Sequence, residues 1–553
     1  MSTEPPPGRA LAWLDTHSWW LALGITALGF ALRWHGTGEF WLNPDEGIYL
    51  QAALGPTSFW DELRANAHPP LYYAILRGLS VLTHDFDALR WVSLLASTGA
   101  IYALFAAGRA MSAAPAGLAA ALLAALSSGA IQQARVLRPY SLLVLLLALA
   151  LWQLAAYLRG GGKRPLAGYG VALLLAVSTH YSAFLAVGAV GLALGTGLLL
   201  RSIPRRQVLP LLAGSAPALL AMAGLWMWHI APNLEGQELQ RQAVEGWLKP
   251  HFIHGMEFLE VWFHLVGVAR YVLIEEWEVG LLLLLGCGIA SGLWGGRLPR
   301  LAGLIATFAL LIGVAAARTF KYPFSFTRHS MYLLPLLALP IGHVATACVG
   351  AARRWVGVGS GLAVVLLLVG HRPLNDLAGI TERFPRPLDE LVLRRSAVEQ
   401  TLVQLHRFRD AGHPVLMDVQ TYYSLAPMFA GANYRREPME QGVFRFAWGR
   451  STVLVNDSWT LTIDDKSAGH RDELDDFLRR AAARFPELEL TKRHYAVLLV
   501  TGWSQRLVQQ LGKLERTAGA GRFVGVFSPA DSPHLAGLQI DLSIFARVRA
   551  ERR

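Results

Sequence analysis

Long apolar stretches separated by short polar turns fill the chain from residue 19 to about residue 370. Eleven candidate spans emerge: Trp19–Trp34, Ala88–Ala107, Ala113–Ile131, Tyr140–Leu158, Leu166–Thr179, Ala183–Leu200, Val208–Trp228, Val279–Trp294, Leu301–Ala317, Tyr332–Val349 and Val356–Gly370. A helix that crosses a bilayer needs about 20 apolar residues, within a range of about 17–25. Several of these are short by that measure, which leaves the count open by one or two, up to thirteen. Leu71–Leu82 is too short and too polar-flanked to span, and it predicts an interfacial helix.

From His371 the pattern changes. Apolar runs shrink to strand length at Pro414–Val419, Thr452–Asn456, Tyr495–Thr501, Arg522–Phe527 and Leu538–Val548. Helical periodicity lies between them, over Pro387–Asp410, His470–Phe485 and Ser504–Thr517. Alternating strand and helix predicts a small α/β domain. The predicted fold class is a polytopic α-helical membrane protein of about eleven spans with a C-terminal α/β extracytoplasmic domain. The boundaries are 1–371 for the membrane domain, with an outer-face loop over 35–87, and 372–553 for the second domain.

Charge gives this arrangement a direction. Only 16% of the 553 residues are charged, against about 25% in soluble domains. The net charge of +11 would suit nucleic acid if it were clustered, but much of it sits in short turns between spans. Arg109, the run Arg159–Arg164, the run Arg201–Arg206, Arg297 with Arg300, and Arg353 with Arg354 fall in alternate loops, which the positive-inside rule makes cytoplasmic. The N-terminus is then cytoplasmic and the C-terminal domain extracytoplasmic. Asp45 and His68 lie on the outer face, and no nucleic-acid partner is implied. No small-residue cleavage site follows the first apolar stretch, so it reads as a retained helix in an integral, multi-pass cell-membrane protein. Eighteen tryptophans suit interfacial belts, and Cys287 and Cys348, both inside apolar runs, form no disulfide framework.

Two features resist a purely topological account. Asn43-Pro44-Asp45-Glu46-Gly47 places adjacent carboxylates at the mouth of the bilayer, and His68-Pro69-Pro70-Leu71-Tyr72-Tyr73 follows. Charges at that depth are costly unless paired or wet, which favours function. Pro-Asp-Glu-Gly is equally a plausible helix start, with Asp45 as a cap. Two other outer loops carry cations without topological purpose: Arg135 and Arg138 in one, Lys321 and Arg328 in the other. They suit a lipid-head-group phosphate, with snorkelling to the interface as the alternative. A third outer turn, Ser178–Ser182, holds His180 and Tyr181 at a helix junction, a place where a histidine is commonly structural.

A carboxylate can orient or deprotonate an acceptor hydroxyl, while guanidinium groups hold and neutralise a departing phosphate. A membrane protein with both can transfer a sugar from a lipid-phosphate donor. The C-terminal region contains no glycine-rich phosphate loop, no Cys/His cluster at metal spacing and no G-x-S-x-G.

The order Asp45-Glu46-Gly47, His68-Pro69-Pro70-Leu71-Tyr72-Tyr73, Asp85-Phe86-Asp87-Ala88-Leu89-Arg90, Ala134-Arg135-x-x-Arg138-Pro139-Tyr140, Thr179-His180-Tyr181 and Thr327-Arg328-His329 resembles the GT-C superfamily of integral-membrane glycosyltransferases. The nearest branch is that of the protein O-mannosyltransferases and lipid A aminoarabinose transferases. The resemblance covers roughly Trp19 to Val349. It implies a polyprenyl-monophosphate sugar donor and hexosyl or pentosyl transfer, with inversion, on the outer face. It places Asp45, with Glu46 beside it, at the acceptor nucleophile. It implies Arg135, Arg138, Lys321 and Arg328 as donor-phosphate ligands, and His68, Tyr140, His180 and Tyr181 as cavity-wall residues. Where the family has Arg-Tyr, this chain has Arg328-His329. The acceptor, whether lipid, glycan or protein, is left open. No cofactor is certain, and a divalent metal on the Asp45-Glu46 oxygens is left open. The competing readings are a transporter or flippase of a lipid-linked glycan and a non-catalytic assembly factor. The absence of repeated halves and of matched broken helices in the sequence weighs against transport.

Overall fold

The computed structural model describes residues 9–54, 68–234, 248–255, 257–351, 395–429, 442–456, 460–462, 471–490, 495–498 and 523–527. Its membrane part begins with α1 (Arg9–Trp34), α2 (Pro44–Leu54), α3 (Pro70–Ser80) and α4 (Phe86–Met111). The pair α5 (Ala114–Leu126) and α6 (Ser128–Ala134) follows, then α7 (Tyr140–Leu158), α8 (Lys163–Val177), α9 (Ser182–Leu199) and α10 (Arg205–Leu225). After these come α11 (Phe258–Val272), α12 (Glu278–Trp294), α13 (Arg297–Arg318), a 3-10 turn at Arg328–Tyr332 and α14 (Leu333–Ala351). The predicted interfacial segment is the helix α3.

Among the described residues six helical stretches are long and apolar enough to cross a membrane: Phe86–Met111, Tyr140–Leu158, Ser182–Leu199, Arg205–Ile230, Arg297–Arg318 and Arg328–Cys348. The pair α5 and α6 makes a seventh if its 59° bend is counted as one broken span. The other expected spans differ for physical reasons. α8 has 15 residues, below the range of about 17–25 for a span, and α12 has 17, at its lower edge. α1 is 26 residues long but its sequence includes Arg9, Asp15, His17 and Arg33. Val356–Gly370 lies outside the described residues.

The bend within Ala113–Ile131 is the main departure from the expected pattern. Ending a helix in the bilayer leaves carbonyls without donors, and lipid supplies none. Arg33 of α1 fills that need. Its side chain is fully buried. It donates to the Ala124 carbonyl at 2.7 Å, the Ala125 and Gly29 carbonyls at 3.0 Å, and Ser97 Oγ at 2.8 Å. Ser127 starts the next segment by capping: its Oγ accepts from the Ala130 N–H at 3.2 Å and donates to the Val272 carbonyl at 2.6 Å. A single break therefore redirects the chain toward the loop that carries Arg135 and Arg138.

Close helix contacts rest on glycine. A Cβ on Gly117 of α5 would lie 2.5 Å from the Phe105 carbonyl oxygen of α4, so no side chain fits between these backbones.

The C-terminal region contains α15 (Arg395–Ala411), the short helices α16 (Val419–Ser424) and α17 (Ala426–Phe429), and α18 (Leu474–Arg484). Its strands are β1 (Val415–Asp418), β2 (Val443–Trp448), β3 (Ser451–Asn456), β4 (Thr460–Thr462), β5 (Arg471–Glu473), β6 (Tyr495–Leu498) and β7 (Phe523–Phe527). Five of them form a sheet in the order β2-β3-β1-β6-β7, parallel except for β2, which runs antiparallel to β3. β1 is buried along its whole length, as a central parallel strand must be. β2 was not anticipated. Its alternation of Phe444, Phe446 and Trp448 inward with Arg445 and Ala447 outward is an edge-strand pattern. The expected segments Leu538–Val548 and Ser504–Thr517 lie outside the described residues.

Removing the guanidinium of Arg33 strands at least the Ala124 and Ala125 carbonyls, each at a cost of about 1–3 kcal/mol. Arg33→Met is therefore expected to lower the thermal unfolding midpoint in detergent. An unchanged midpoint would show that those carbonyls find other donors.

Candidate active site

α2 starts with a reciprocal cap. Asn43 Oδ1 accepts from the Glu46 N–H at 3.0 Å, and Glu46 Oε2 accepts from the Asn43 N–H at 3.0 Å. This is a capping box, in which the N-cap and third residues satisfy each other's amides. Asp45 therefore sits in the first turn, where the helix dipole favours a carboxylate. The helix start read from Pro-Asp-Glu-Gly is real, but the capping residue is Asn43.

The two adjacent acids have different surroundings. Glu46 is 1% exposed and accepts from four donors. These are the Asn43 N–H, Arg90 Nε at 2.9 Å, Arg90 Nη2 at 2.9 Å and the Leu137 N–H at 2.7 Å. Its oxygens are committed, and they tie α2 to α4 and to the residue before Arg138. Asp45 turns the other way and its side chain is 16% exposed. Its Oδ2 accepts from both Arg138 Nη2 and Arg328 Nη2, the latter at 2.9 Å. Its Oδ1 accepts no hydrogen bond among the described residues. Two guanidinium groups thus converge on one carboxylate oxygen.

The arginines arrive from separate loops. Arg138 is 3% exposed and precedes α7, while Arg328 opens the 3-10 turn before α14. Burial would raise the pKa of Asp45, but the charges of Arg138 and Arg328 outweigh it and hold the carboxyl at about 2.

Around this triad lies a set of polar rings. His68 stacks on His180 at 5.1 Å and on Tyr49 at 5.7 Å. Tyr140 lies 4.8 Å from His180, and His329 lies 6.1 Å from Tyr140 and 5.8 Å from Tyr322. Burial, then Arg138 and Arg328, push His68 down to about 3, and burial with His68 and the same arginines pushes His180 well below the ordinary range. Both rings are neutral at pH 7. The Ser182 N–H donates to His180 Nδ1 at 3.1 Å, so the proton of the neutral ring is on Nε2. That Nε2, His68 Nδ1 and the hydroxyls of Tyr49 and Tyr140 are buried without a hydrogen-bond partner among the described residues. Such atoms are costly to leave unsatisfied in a protein interior.

The structure thus brings together Asp45, Arg138, Arg328, His68, Tyr140 and His180. The remaining candidate residues stand elsewhere. Arg135 donates to the Leu32 carbonyl at 2.7 Å and the Arg33 carbonyl at 3.3 Å, capping the last turn of α1. Lys321 is exposed just beyond α13. Tyr181 bonds His229 Nδ1. No three His, Cys, Asp or Glu side chains converge as metal ligands among the described residues.

Sequence reasoning missed Tyr49 and the role of Arg90. Tyr49 lies four residues after Asp45, hence on the same helix face, and that spacing could have signalled it. Nothing in the local sequence joins Arg90 to Glu46.

A model of the dolichyl-phosphate-mannose-protein mannosyltransferase family matches residues 67–228. The match includes His68, Arg138, Tyr140 and His180 and leaves out Asp45 and Arg328. No curated protein matches this chain. Among solved structures it is similar to the Archaeoglobus fulgidus oligosaccharyltransferase tethered with an acceptor peptide, at 13% identity and TM-score 0.44. That match covers 76% of this chain and 64% of the archaeal one, so the chain spans less than two thirds of the archaeal enzyme. It is also similar to ArnT from Cupriavidus metallidurans bound to undecaprenyl phosphate, at 14% identity and TM-score 0.43, covering 73% of this chain and 84% of that one.

The histidine shift has a consequence for stability. The unfolded chain protonates His68 below about pH 6.5, whereas the folded chain protonates it only near 3. Stability therefore falls as the pH drops through that window. Asp45, depressed to about 2, adds its own loss only below about pH 4. His68→Gln is expected to show a shallower decline between pH 6.5 and 4 in thermal melts, and a slope equal to wild type would contradict a buried neutral imidazole.

Proposed function

We propose that this protein transfers a sugar from a polyprenyl-monophosphate donor to an acceptor on the outer face of the membrane. The observation that carries the reading is Asp45 with one oxygen held by two arginines while the other accepts no hydrogen bond among the described residues. The family match over residues 67–228 supports a lipid-phosphate donor. The unsatisfied hydroxyls and imidazole nitrogens nearby suit a polyhydroxylated sugar.

In this reading the donor phosphate binds Arg138 and Arg328 and competes with Asp45 for them. Asp45, less strongly paired, becomes the better base and accepts a hydrogen bond from the acceptor at Oδ1. The acceptor oxygen attacks the anomeric carbon as the bond from that carbon to the phosphate oxygen breaks. The electron pair leaves with the lipid phosphate, and the acceptor proton passes to Asp45. One displacement inverts the sugar carbon. Retention would need a second carboxylate to form a covalent intermediate, and Glu46 is occupied by its four donors. Arg135 and Lys321 lie outside the phosphate subsite in this scheme, and Glu46 acts by placing α2 against Arg138. The catalytic unit is 1–371 with its outer loop 35–87, and 372–553 forms the extracytoplasmic domain. The N-terminus is cytoplasmic.

Asp45→Asn is expected to reduce transfer by at least about 100-fold, within the usual range for loss of a general base, with expression and thermal midpoint retained. Arg328→Ala should weaken undecaprenyl-phosphate binding more than it lowers stability. Transfer at wild-type rate by Asp45→Asn in reconstituted membranes would remove the carboxylate from the mechanism.

A further inference from the structure

The helix that carries Asp45 is not self-supporting. α2 has 11 residues, and isolated helices shorter than about 12–15 residues are marginal in water. Its support comes in part from a distant piece of sequence. Gly47, two residues after Asp45, faces α16 of the C-terminal domain. A Cβ at Gly47 would lie 2.0 Å from the Tyr423 carbonyl oxygen and 2.4 Å from its carbon, so the two backbones touch and no side chain fits. Glycine inside a helix costs about 1 kcal/mol relative to alanine, and this contact gives it a purpose.

Two further links join the same elements. The Trp41 indole N–H, just before α2, donates to the Ser424 carbonyl at 2.7 Å. Its ring packs against both the C-terminal core and the apolar cluster of the outer loop, and Ala426 is buried within that outer-loop cluster. The third link is ionic. Arg395 of α15 pairs with Asp87 and lies over the Phe86 ring at 5.3 Å. Asp87 also accepts from Arg90 Nη1 at 3.2 Å, and Arg90 grips Glu46. A continuous path of polar contacts therefore runs from the C-terminal domain through Asp87, Arg90 and Glu46 to the Leu137 amide beside Arg138.

We infer that the C-terminal α/β domain is a positioning element of the active site: through Gly47, Trp41 and the Arg395–Asp87 pair it holds Asp45 in register with Arg138 and Arg328. This rests on the reading of Asp45 as the acceptor-side carboxylate. Among the described residues the domain's direct contacts fall on Trp41, Asp87 and α2, the stretch that carries Asp45.

Hydrogen–deuterium exchange and steady-state transfer, both on the full chain in nanodiscs, test the inference with Gly47→Ala, Arg395→Ala and the conservative Arg395→Lys. Faster exchange is expected over residues 44–54 in Gly47→Ala and Arg395→Ala, with exchange in Tyr140–Leu158 unchanged. The kcat should fall roughly tenfold or more, as expected for a displaced catalytic group, while the KM for the undecaprenyl-phosphate-linked sugar stays near wild type. Arg395→Lys should restore most of both. Unchanged exchange over residues 44–54 in both variants overturns the inference, whatever happens to transfer. An equal loss of kcat and donor KM overturns it too, since general loosening would act on both. If Asp45→Asn itself transfers sugar normally, the functional reading has failed, and the exchange data still decide whether the domain supports α2.

Discussion

The carboxylate of Glu46 is the contact on which the site depends. It is taken almost completely out of water, and such burial is tolerable only because four donors surround it. A buried ion pair adds little net stability compared with an apolar substitute, but losing one partner leaves an unpaired buried charge at a cost of several kcal/mol. Its effect is therefore geometric. Asn43, Arg90 and Leu137 belong to three separate stretches of chain, and all must reach Glu46 together. Once they do, Asp45 on one side and Arg138 on the other have little freedom left.

The bilayer imposes a second constraint, and the protein answers it with arginine. A helix that breaks inside hydrocarbon must find donors for its carbonyls within the protein. Arg33 supplies them at the end of α5, and Arg135 does the same for the end of α1. These cations look alike in sequence to Arg138 and Arg328, yet they close helix ends while the other two meet a carboxylate. Guanidinium groups suit both tasks, since they carry several fixed donors and stay charged when buried.

The site also brings together opposite electrostatic demands. Two guanidinium groups hold Asp45 ionised and, with burial, keep His68 and His180 neutral. In the proposed reading a lipid phosphate meets the guanidinium groups of Arg138 and Arg328 without imidazolium at His68 or His180, beside neutral rings with unsatisfied polar atoms. The proposed chemistry needs that division between a charged end and a neutral polar wall.

Much of this protein was legible in its sequence. Long apolar runs dictate helices in lipid because backbone groups there have no other partner. The shift to short β-branched and aromatic runs after His371 marked the α/β region. Asp45, Arg138 and Arg328 stood out because charges at a bilayer mouth need a reason to be there. Local sequence could not separate Glu46 from Asp45, or Arg135 from Arg138, since each pair shares its chemistry and its loop. Their different roles arise from which way each side chain turns and what lies opposite, and those partners are up to hundreds of residues away: Arg90 for Glu46, Leu32 for Arg135, Arg328 for Asp45. The packing of Tyr423 against Gly47 is likewise invisible in sequence, because a backbone-to-backbone contact leaves no side-chain signature beyond a single glycine. The sequence alone determined that the chain enters a membrane and which residue types could act there. Only the tertiary structure decided which of them meet, because hydrogen bonds and ion pairs depend on separations of a few ångströms between segments whose distance along the chain says nothing about their distance in space.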